Sequence, residues 1–303
     1  MKQIRTIFKN EKEKKAFVLQ EDLAFGERIL SSVKQLVLNE PVRIMTVSGP
    51  SCSGKTTTAD LICRALKQSG KNVHVISLDN FFLSRSFLLK RAAEKGTKID
   101  FDSPDTLDFN ALTEVTDAAF SGKSVIVPFF NFKTGERDGA TDFGIPSEDD
   151  VYLFEGIQAV YPAVTALFGR HPYRSIFLSV GEDAVCGDTV FMREEIRFLR
   201  RLVRDRLFRE TAPEFTFRIW GSVRENEMKN IFPNAGKCDL QLTTYLPYEL
   251  NMIRDEACAC LDTIGAESVY YGYAKDLLRK LEPLPPISSA YLSESSLYHE
   301  FLG

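Results

Sequence analysis

The stretch "VRIMTVSGPSCSGKTTTADLICRAL", residues 42–66, decides the fold class of this chain. It begins with an apolar, β-rich run at residues 42–48 and continues into a helical pattern from Lys55 onward. Between them "GPSCSGKT", residues 49–56, matches the phosphate-loop pattern G-x-x-x-x-G-K-[ST]. A strand, a glycine-rich loop and a helix in this order predict a nucleoside triphosphate site in an α/β domain.

Each residue type in this loop has a physical task. The glycines let the backbone wrap closely around phosphates, while the loop N–H groups and the helix N-terminus face the negative charge. Lys55 is expected to reach the β and γ oxygens, and Thr56 is expected to ligate Mg²⁺. The predicted ATP-binding residues are Gly49, Pro50, Ser51, Cys52, Ser53, Gly54, Lys55, Thr56 and Thr57. The motif leaves open whether GTP replaces ATP, and GTPases, motor ATPases and small-molecule kinases all use it.

Composition excludes several other classes of protein. The 303 residues include 38 lysines and arginines against 42 aspartates and glutamates, so we expect neither bulk nucleic acid nor an anionic membrane as partner. Without an apolar run of about 18 to 20 residues or a secretory signal, the chain is expected to stay in the cytoplasm. Its six scattered cysteines indicate reduced thiols. The sequence leaves open whether the protein forms a homo-oligomer.

Beyond residue 42, β-rich runs alternate with helical patterns. This alternation predicts a mainly parallel, doubly wound sheet with flanking helices. The predicted strands are residues 42–48, 73–78, 124–128, 151–154, 175–180 and 240–244. The predicted helices are residues 55–68, 109–120, 193–209, 218–230 and 249–261. We divide the chain into an N-terminal helical extension (1–40), a phosphate-loop domain (41–265) and a C-terminal helix and tail (266–303).

Two carboxylates, Asp79 and Glu155, follow predicted strands at the edge where ligands bind in α/β sheets, and two further candidates lie in the segment "FDSPDTLDF". Asp79, in "ISLDNFF", could take a proton from an attacking hydroxyl or hold a metal-bound water. Glu155, in "LFEG", could complete the Mg²⁺ shell with Thr56. In "FDSPDTLDF" we expect Asp108 to cap the next helix, and Asp102 to face a ligand.

The segment "REEIRFLRRLVRDRLFR", residues 193–209, holds seven arginines on a helical pattern. A solvated basic face and a contact with RNA are two explanations of such a run. In a phosphoryl-transfer enzyme, an arginine-bearing lid that closes over the triphosphate is a third. The phosphate loop favours the lid.

The order of these motifs resembles the uridine kinase and phosphoribulokinase family of P-loop kinases. The matching pieces are "GPSCSGKTT", "ISLDNFF", "FDSPDTLDF", "VPFFNFKTGER", "VYLFEGI", "RRLVRDRLFR" and "WGSVRENEMKNIFP" followed by "CDLQL". The resemblance is closest to the kinase portion of long bacterial uridine kinase-like proteins, which carry extra N-terminal domains resembling parts of threonyl-tRNA synthetase. About forty residues precede the kinase motifs here, so we expect those domains and their functions to be absent.

The resemblance implies roles for individual residues. Lys55 and Thr56 would serve ATP and Mg²⁺, Asp79 would be the base facing a sugar 5′-hydroxyl, and Glu155 would be the Walker B acid. The remaining implied residues are Asp102 for the ribose hydroxyls, Arg137 for the substrate pocket, and the lid arginines Arg201, Arg204 and Arg209, with Arg201 also contacting substrate. The implied catalytic set is Asp79, Lys55 and the lid arginines, and the implied metal set is Thr56, Glu155 and Asp79.

The acceptor segment "FFNFKTGER" departs from the family pattern. Typical uridine-cytidine kinases have Tyr and later His in this segment, where this chain has Phe130 and Gly135. Phe130 can stack on a base without donating a hydrogen bond, and Gly135 offers no side chain. The sequence therefore predicts an ATP- and Mg²⁺-dependent kinase acting on the 5′-hydroxyl of uridine, cytidine or another nucleoside. A kinase for a phosphorylated sugar, pantothenate or glycerate, and a non-catalytic nucleotide-binding module, remain the alternatives.

Overall fold

The computed structural model describes residues 1–37, 42–96 and 103–303. Its strands in chain order are β1 (Lys2–Gln3), β2 (Ile44–Ser48), β3 (Asn72–Ser77), β4 (Ile126–Asn131), β5 (Glu136–Asp142), β6 (Asp150–Glu155), β7 (Tyr173–Ser179), β8 (Ala184–Cys186), β9 (Thr189–Phe191) and β10 (Leu240–Thr243). Among the described residues, five strands form a parallel sheet in the order β10-β7-β2-β6-β3. The parallel α/β architecture expected from the sequence is confirmed.

Helices cover both faces of this sheet. They are α1 (Glu11–Val37), α2 (Lys55–Gln68), α3 (Arg85–Lys95), α4 (Phe109–Ser121), α5 (Pro162–Phe168), α6 (Arg193–Arg209), α7 (Pro213–Asn226), α8 (Phe232–Ala235), α9 (Glu249–Leu261), α10 (Tyr271–Leu281) and α11 (His299–Leu302). Every residue of β2 is buried, as is nearly all of β6. Strands buried on both faces carry nearly continuous apolar runs, so the sequence pattern distinguishes them from the amphipathic helices between them.

Two predicted elements need correction. Residues 124–128 were predicted as a strand of the parallel sheet, whereas β4 lies outside that sheet and pairs antiparallel with β5. The helix predicted at residues 218–230 begins earlier, at Pro213, because proline suits the first helical turn. It ends in a π-helical turn, Glu227–Ile231, which leads into α8.

Both ends of the chain pack against the centre of the molecule. Helix α1 buries Val18, Phe25, Ile29 and Val33 in the same hydrophobic cluster as α2, α6 and α9. Leu297 and Phe301 of the C-terminal segment join this cluster. Burying one large apolar side chain stabilises a fold by about 1.5–3 kcal/mol, so these contacts attach both ends firmly. The proposed division at residues 40 and 265 remains a prediction.

Within the described residues, every helix is too short or too polar to span a lipid bilayer.

Candidate active site

The phosphate loop connects β2 to α2 in a conformation that its glycines make possible. Gly54, the N-cap of α2, has φ +81°, a left-handed value that side chains other than glycine rarely adopt. A Cβ on Gly49 would overlap the carbonyl oxygen of Leu178 in the neighbouring strand β7. Both glycines of the pattern are therefore needed for the loop to fit against the sheet.

Lys55, the first residue of α2, lies inside the loop. Its Nζ donates a hydrogen bond to the carbonyl oxygen of Pro50 over 3.0 Å. Burial lowers the pKa of Lys55, while the negative charges of Glu155 and Glu300 favour its protonated form. The next residue, Thr56, is exposed. A buried ammonium and an exposed hydroxyl are thus presented side by side at the helix N-terminus, where anions are favoured.

Asp79 lies in a short turn, Leu78–Phe81, directly after β3. Gln158 Nε2 donates to Asp79 Oδ1 over 3.1 Å, which leaves Oδ2 for another partner. Burial raises the pKa of Asp79, and Gln158, Lys55 and Arg209 each oppose that rise. A carboxylate with a raised pKa beside positive charges is suited to accept a proton.

Glu155 ends β6, which lies between β2 and β3 in the sheet. Burial raises the pKa of Glu155, the charge of Lys55 lowers it, and the charge of Asp79 raises it further. Three predicted groups, Lys55, Asp79 and Glu155, are therefore close enough to influence one another. The parallel sheet brings them together because the carboxyl ends of its strands share one edge.

The arginine helix α6 passes over the phosphate loop. Its Asp205, nearly fully buried, forms ion pairs with Arg201, Arg204 and Arg209 at N–O distances of 3.2, 2.6 and 3.7 Å. Arg201 also donates to Ser51 Oγ over 2.9 Å, and the charge of Arg209 acts on Asp79. One carboxylate thus orients the three arginines predicted for the lid, and two of them reach towards the loop and the candidate base.

A family comparison identifies the type of protein that this site belongs to. A model described as "Phosphoribulokinase / Uridine kinase family" matches residues 44–245. The chain belongs to this family. The matched range includes the phosphate loop, Asp79, Glu155 and the arginine helix, so the chain is a member of a P-loop kinase family that uses nucleotides and Mg²⁺.

Individual relatives agree with the family at modest identity. The uridine kinase of Schizosaccharomyces pombe is 34% identical over 122 residues, which is 40% of this chain and 25% of that enzyme. The uridine kinase of Chloroflexus aurantiacus (strain ATCC 29366 / DSM 635 / J-10-fl) is 29% identical over 198 residues, 65% of this chain and 84% of that enzyme. The chain thus spans only a quarter of the Schizosaccharomyces enzyme's length.

A solved structure shares the fold. The YGR205w protein superimposes with a TM-score of 0.50 at 16% identity, covering 73% of this chain and 89% of that one. At this identity, the likeness concerns the fold alone.

The residues present fit the nucleotide and Mg²⁺ that the family uses. Gly49 and Gly54 keep the loop free of Cβ atoms where the backbone must pass closely, and Lys55 is aimed into the loop. The hydroxyl of Thr56 and the carboxylates of Glu155 and Asp79 are hard oxygen donors, the type that Mg²⁺ prefers. Gln158 adds a buried Oε1 that has no hydrogen-bond partner among the residues that the structure describes.

Residues predicted for the acceptor lie on the β4–β5 hairpin and its neighbours. Phe130, largely buried, packs against Phe82 and Phe132 at ring-centroid distances of 5.7 and 5.2 Å. Its backbone N–H donates to Asn80 Oδ1 over 3.3 Å, which links the hairpin to the turn that carries Asp79. The hairpin therefore places an aromatic cluster beside the candidate base.

Arg137 has structural partners in this hairpin. Its guanidinium donates to Asp108 Oδ2 over 2.9 Å and to the carbonyl oxygen of Phe81 over 3.0 Å. Asp108 also caps α4, as the sequence predicted, by accepting from Asn110 and Ala111. The predicted role of Arg137 in the substrate pocket remains a prediction, and Asp102 lies outside the described residues.

Gly135 has a structural reason to be glycine. It has φ +75°, and a Cβ at this position would lie 2.8 Å from Cβ and 2.9 Å from Nε of Arg85. Arg85 occupies this space at the start of α3, and its N–H donates to the carbonyl oxygen of Gly135 over 2.7 Å. The Arg85 side chain therefore fills the space into which a side chain at position 135 would project.

Sequence reasoning missed several residues that hold the phosphate loop. Ser51 is bound through its backbone by Glu227 and Arg197, and Arg200 donates to the carbonyl oxygen of Cys52 over 3.3 Å. Gln158, which orients Asp79, was also missed. The sequence contained a weak signal for both residues. Glu227 lies in the family-like motif "WGSVRENEMKNIFP", and Gln158 lies three positions after Glu155.

Proposed function

We propose that the protein transfers the γ-phosphoryl group of ATP, or of GTP, to a hydroxyl of a small nucleoside-like acceptor. The 5′-hydroxyl of uridine, cytidine or another nucleoside is the leading candidate. The observation that carries this proposal is the grouping of Lys55, Asp79 and Glu155 at one edge of the sheet. The family match and the uridine kinases among its relatives support it.

In the proposed reaction, Asp79 acts as the general base. Gln158 binds Oδ1, so Oδ2 receives the proton of the acceptor hydroxyl. The acceptor oxygen forms a bond to the γ phosphorus, the bond from phosphorus to the β–γ bridging oxygen breaks, and ADP or GDP leaves. Positioning and charge stabilisation supply most of the rate enhancement in such transfers.

The positive side chains stabilise the charge on the transferred group. Lys55 would interact with the β and γ oxygens, and Arg201, Arg204 and Arg209 would surround the phosphoryl group from α6. Because Asp205 holds all three arginines, little reorganisation is needed during the reaction. When bound by Thr56, Glu155 and Asp79, directly or through water, Mg²⁺ would neutralise phosphate charge.

The residues around the acceptor site also suit a second class of substrate, one that carries an anionic group. Phe130 supplies a stacking surface, whereas Gly135 and the adjacent Arg85 replace the usual reader of the base. A guanidinium at that position could bind an anionic group, as in a phosphorylated sugar or glycerate. The alternative is therefore a kinase of the same chemistry with a different, acidic acceptor.

A substrate screen with the purified full chain tests this proposal. ADP release would be measured with ATP, Mg²⁺ and separate panels of nucleosides, sugar phosphates, pantothenate and glycerate, with Asp79→Asn as the control. We expect nucleosides to support turnover and Asp79→Asn to reduce it by about 10²–10⁴-fold while still binding ATP. An acidic acceptor preferred by orders of magnitude would select the alternative. Nucleotide binding without product from any acceptor would indicate a non-catalytic module.

A further inference from the structure

The C-terminal turn, α11, lies directly on the phosphate loop. Leu297, just before it, packs so closely that its Cδ1 would overlap a Cβ on Gly54. From within α11, Glu300 places Oε2 3.5 Å from both the backbone nitrogen and the Oγ1 of Thr57. Thr57 belongs to the first turn of α2, whose N–H groups have no acceptor within the helix.

The charge of Glu300 reaches the centre of the site. Burial lowers the pKa of Lys55, and Glu155 and then Glu300 oppose that fall. Burial is likewise the main cause of the raised pKa of Glu155, to which Glu300 adds. Burial lowers the pKa of Arg204 on α6, and Cys52, Asp205 and, to a smaller extent, Glu300 raise it above its usual value. The carboxylate thus lies among the groups that would surround a triphosphate.

Buried contacts fix the backbone on both sides of Glu300. Asp22 of α1 accepts hydrogen bonds from the N–H and Oγ of Ser293, at 3.0 and 2.8 Å, and from Ser296 Oγ at 2.9 Å. The hydroxyl of Tyr298 donates to Glu249 Oε2 over 2.6 Å, and Phe301 is fully buried. The half-buried side chain of Glu300 is therefore the part of this turn that is able to rotate away from Thr57.

We propose that Glu300 competes with the phosphates of the donor nucleotide for Thr57, so that the C-terminal turn lowers the nucleotide affinity of this kinase. The inference rests on the proposed function of the loop. Backbone N–H groups of a phosphate loop bind the α- and β-phosphate oxygens, and one N–H cannot serve a carboxylate and a phosphate fully at once. A carboxylate and a phosphate that approach the same N–H also repel each other.

A purely structural role predicts a different result. If Glu300 only capped α2, its removal would destabilise the helix and leave nucleotide affinity unchanged or weaker. Competition predicts tighter binding after removal. The sign of the change in dissociation constant therefore separates the two roles.

The experiment is calorimetric titration of the full chain, as wild type, Glu300→Gln and Glu300→Ala, with ATP and with inorganic triphosphate. Glu294→Gln is the matched control, because Glu294 is an exposed residue of the same segment and the substitution removes the same charge. We expect both Glu300 variants to bind both ligands about 3- to 10-fold more tightly, a gain no larger than the contribution of one charge-assisted hydrogen bond to binding. Glu294→Gln should bind both ligands as wild type does.

The other outcomes are distinct. Equal or weaker binding by both Glu300 variants would overturn the competition. A gain for ATP without a gain for inorganic triphosphate would also overturn it, because the contact would then involve the nucleoside. If Glu294→Gln also binds more tightly, the gain comes from the change in net charge, and the competition at Thr57 is overturned. If wild type and variants all bind neither ATP nor inorganic triphosphate, the proposed function itself is wrong, and this inference with it.

Discussion

Glu227 accepts a hydrogen bond from the backbone N–H of Ser51, with Oε1 3.1 Å from the nitrogen. The same carboxylate is paired with Arg197, whose Nε donates to the carbonyl oxygen of Ser51 over 3.0 Å. Arg224 binds the second oxygen of Glu227 at 2.7 Å. One buried ion pair therefore holds both backbone groups of a loop residue and connects the loop to α6 and to the π-helical turn after α7.

This arrangement predicts that Glu227 positions the phosphate loop. We expect Glu227→Ala to raise the KM for ATP by about tenfold, because Ser51 loses an acceptor and Arg197 is left buried without this carboxylate. Glu227→Gln keeps an oxygen for Ser51 and should lose less. Steady-state kinetics would measure both. Glu195→Gln is the control, since Glu195 lies on the same arginine helix and pairs instead with Lys280 of α10. Wild-type KM in Glu227→Ala would contradict the prediction.

The pH profile should report on Asp79. Burial raises its pKa above 3.8, and the base acts in its ionised form, so kcat/KM should fall as the pH decreases through that raised pKa. Gln158 donates to the ionised carboxylate and thereby lowers the pKa. Gln158→Leu should consequently move the acidic limb to higher pH. The comparison is kcat/KM against pH for wild type, Gln158→Leu and Gln68→Leu, which changes an exposed residue at the end of α2. If the acidic limb of Gln158→Leu coincides with that of wild type, Gln158 does not lower the pKa of Asp79.

Gly135 should not tolerate a histidine side chain. Gly135→His places a side chain at φ +75° and against Arg85, so we expect a loss of about 2–4 kcal/mol in the free energy of unfolding. Gly139→His, in the same hairpin, is the matched control because its Cβ would meet its nearest neighbour at 3.9 Å. Urea unfolding measures both. The double variant Arg85→Ala, Gly135→His should recover only the part due to the guanidinium, because alanine keeps the Cβ that lies 2.8 Å away. Equal stability of the two glycine variants would count against this explanation.

Arg200 should be needed for stability. It is fully buried, pairs with Glu249 at 2.6 Å and donates to the carbonyl oxygen of Thr244 at 2.9 Å. Arg200→Met leaves Glu249 buried without its cation, which should lower the free energy of unfolding by about 3–5 kcal/mol. Arg279→Met breaks an exposed pair with Asp276 and should change it by less than about 1 kcal/mol. Similar urea midpoints for the two variants would refute the role of the buried pair.

Local sequence determined the elements that form the donor half of the proposed site. Strand β2, the phosphate loop and α2 are consecutive in the chain, so a single stretch of sequence predicts all three. The bounds of α6 and α9 followed from helical periodicity. The positions of Asp79 and Glu155 at the sheet edge could be predicted because each directly follows a predicted strand. The position of residues 124–128 could not, since β-branched content does not reveal which strand will be the partner.

Only the tertiary structure decided how the arginine segment is used. A charge run normally indicates a solvated face, yet Arg197 and Arg200 are buried because Glu227 and Glu249, 30 and 49 residues later, neutralise them. The contact between Glu300 and Thr57 spans 243 residues. Spacing in the sequence records local backbone preferences, whereas the cost of burying a charge depends on distant partners that only folding brings within reach.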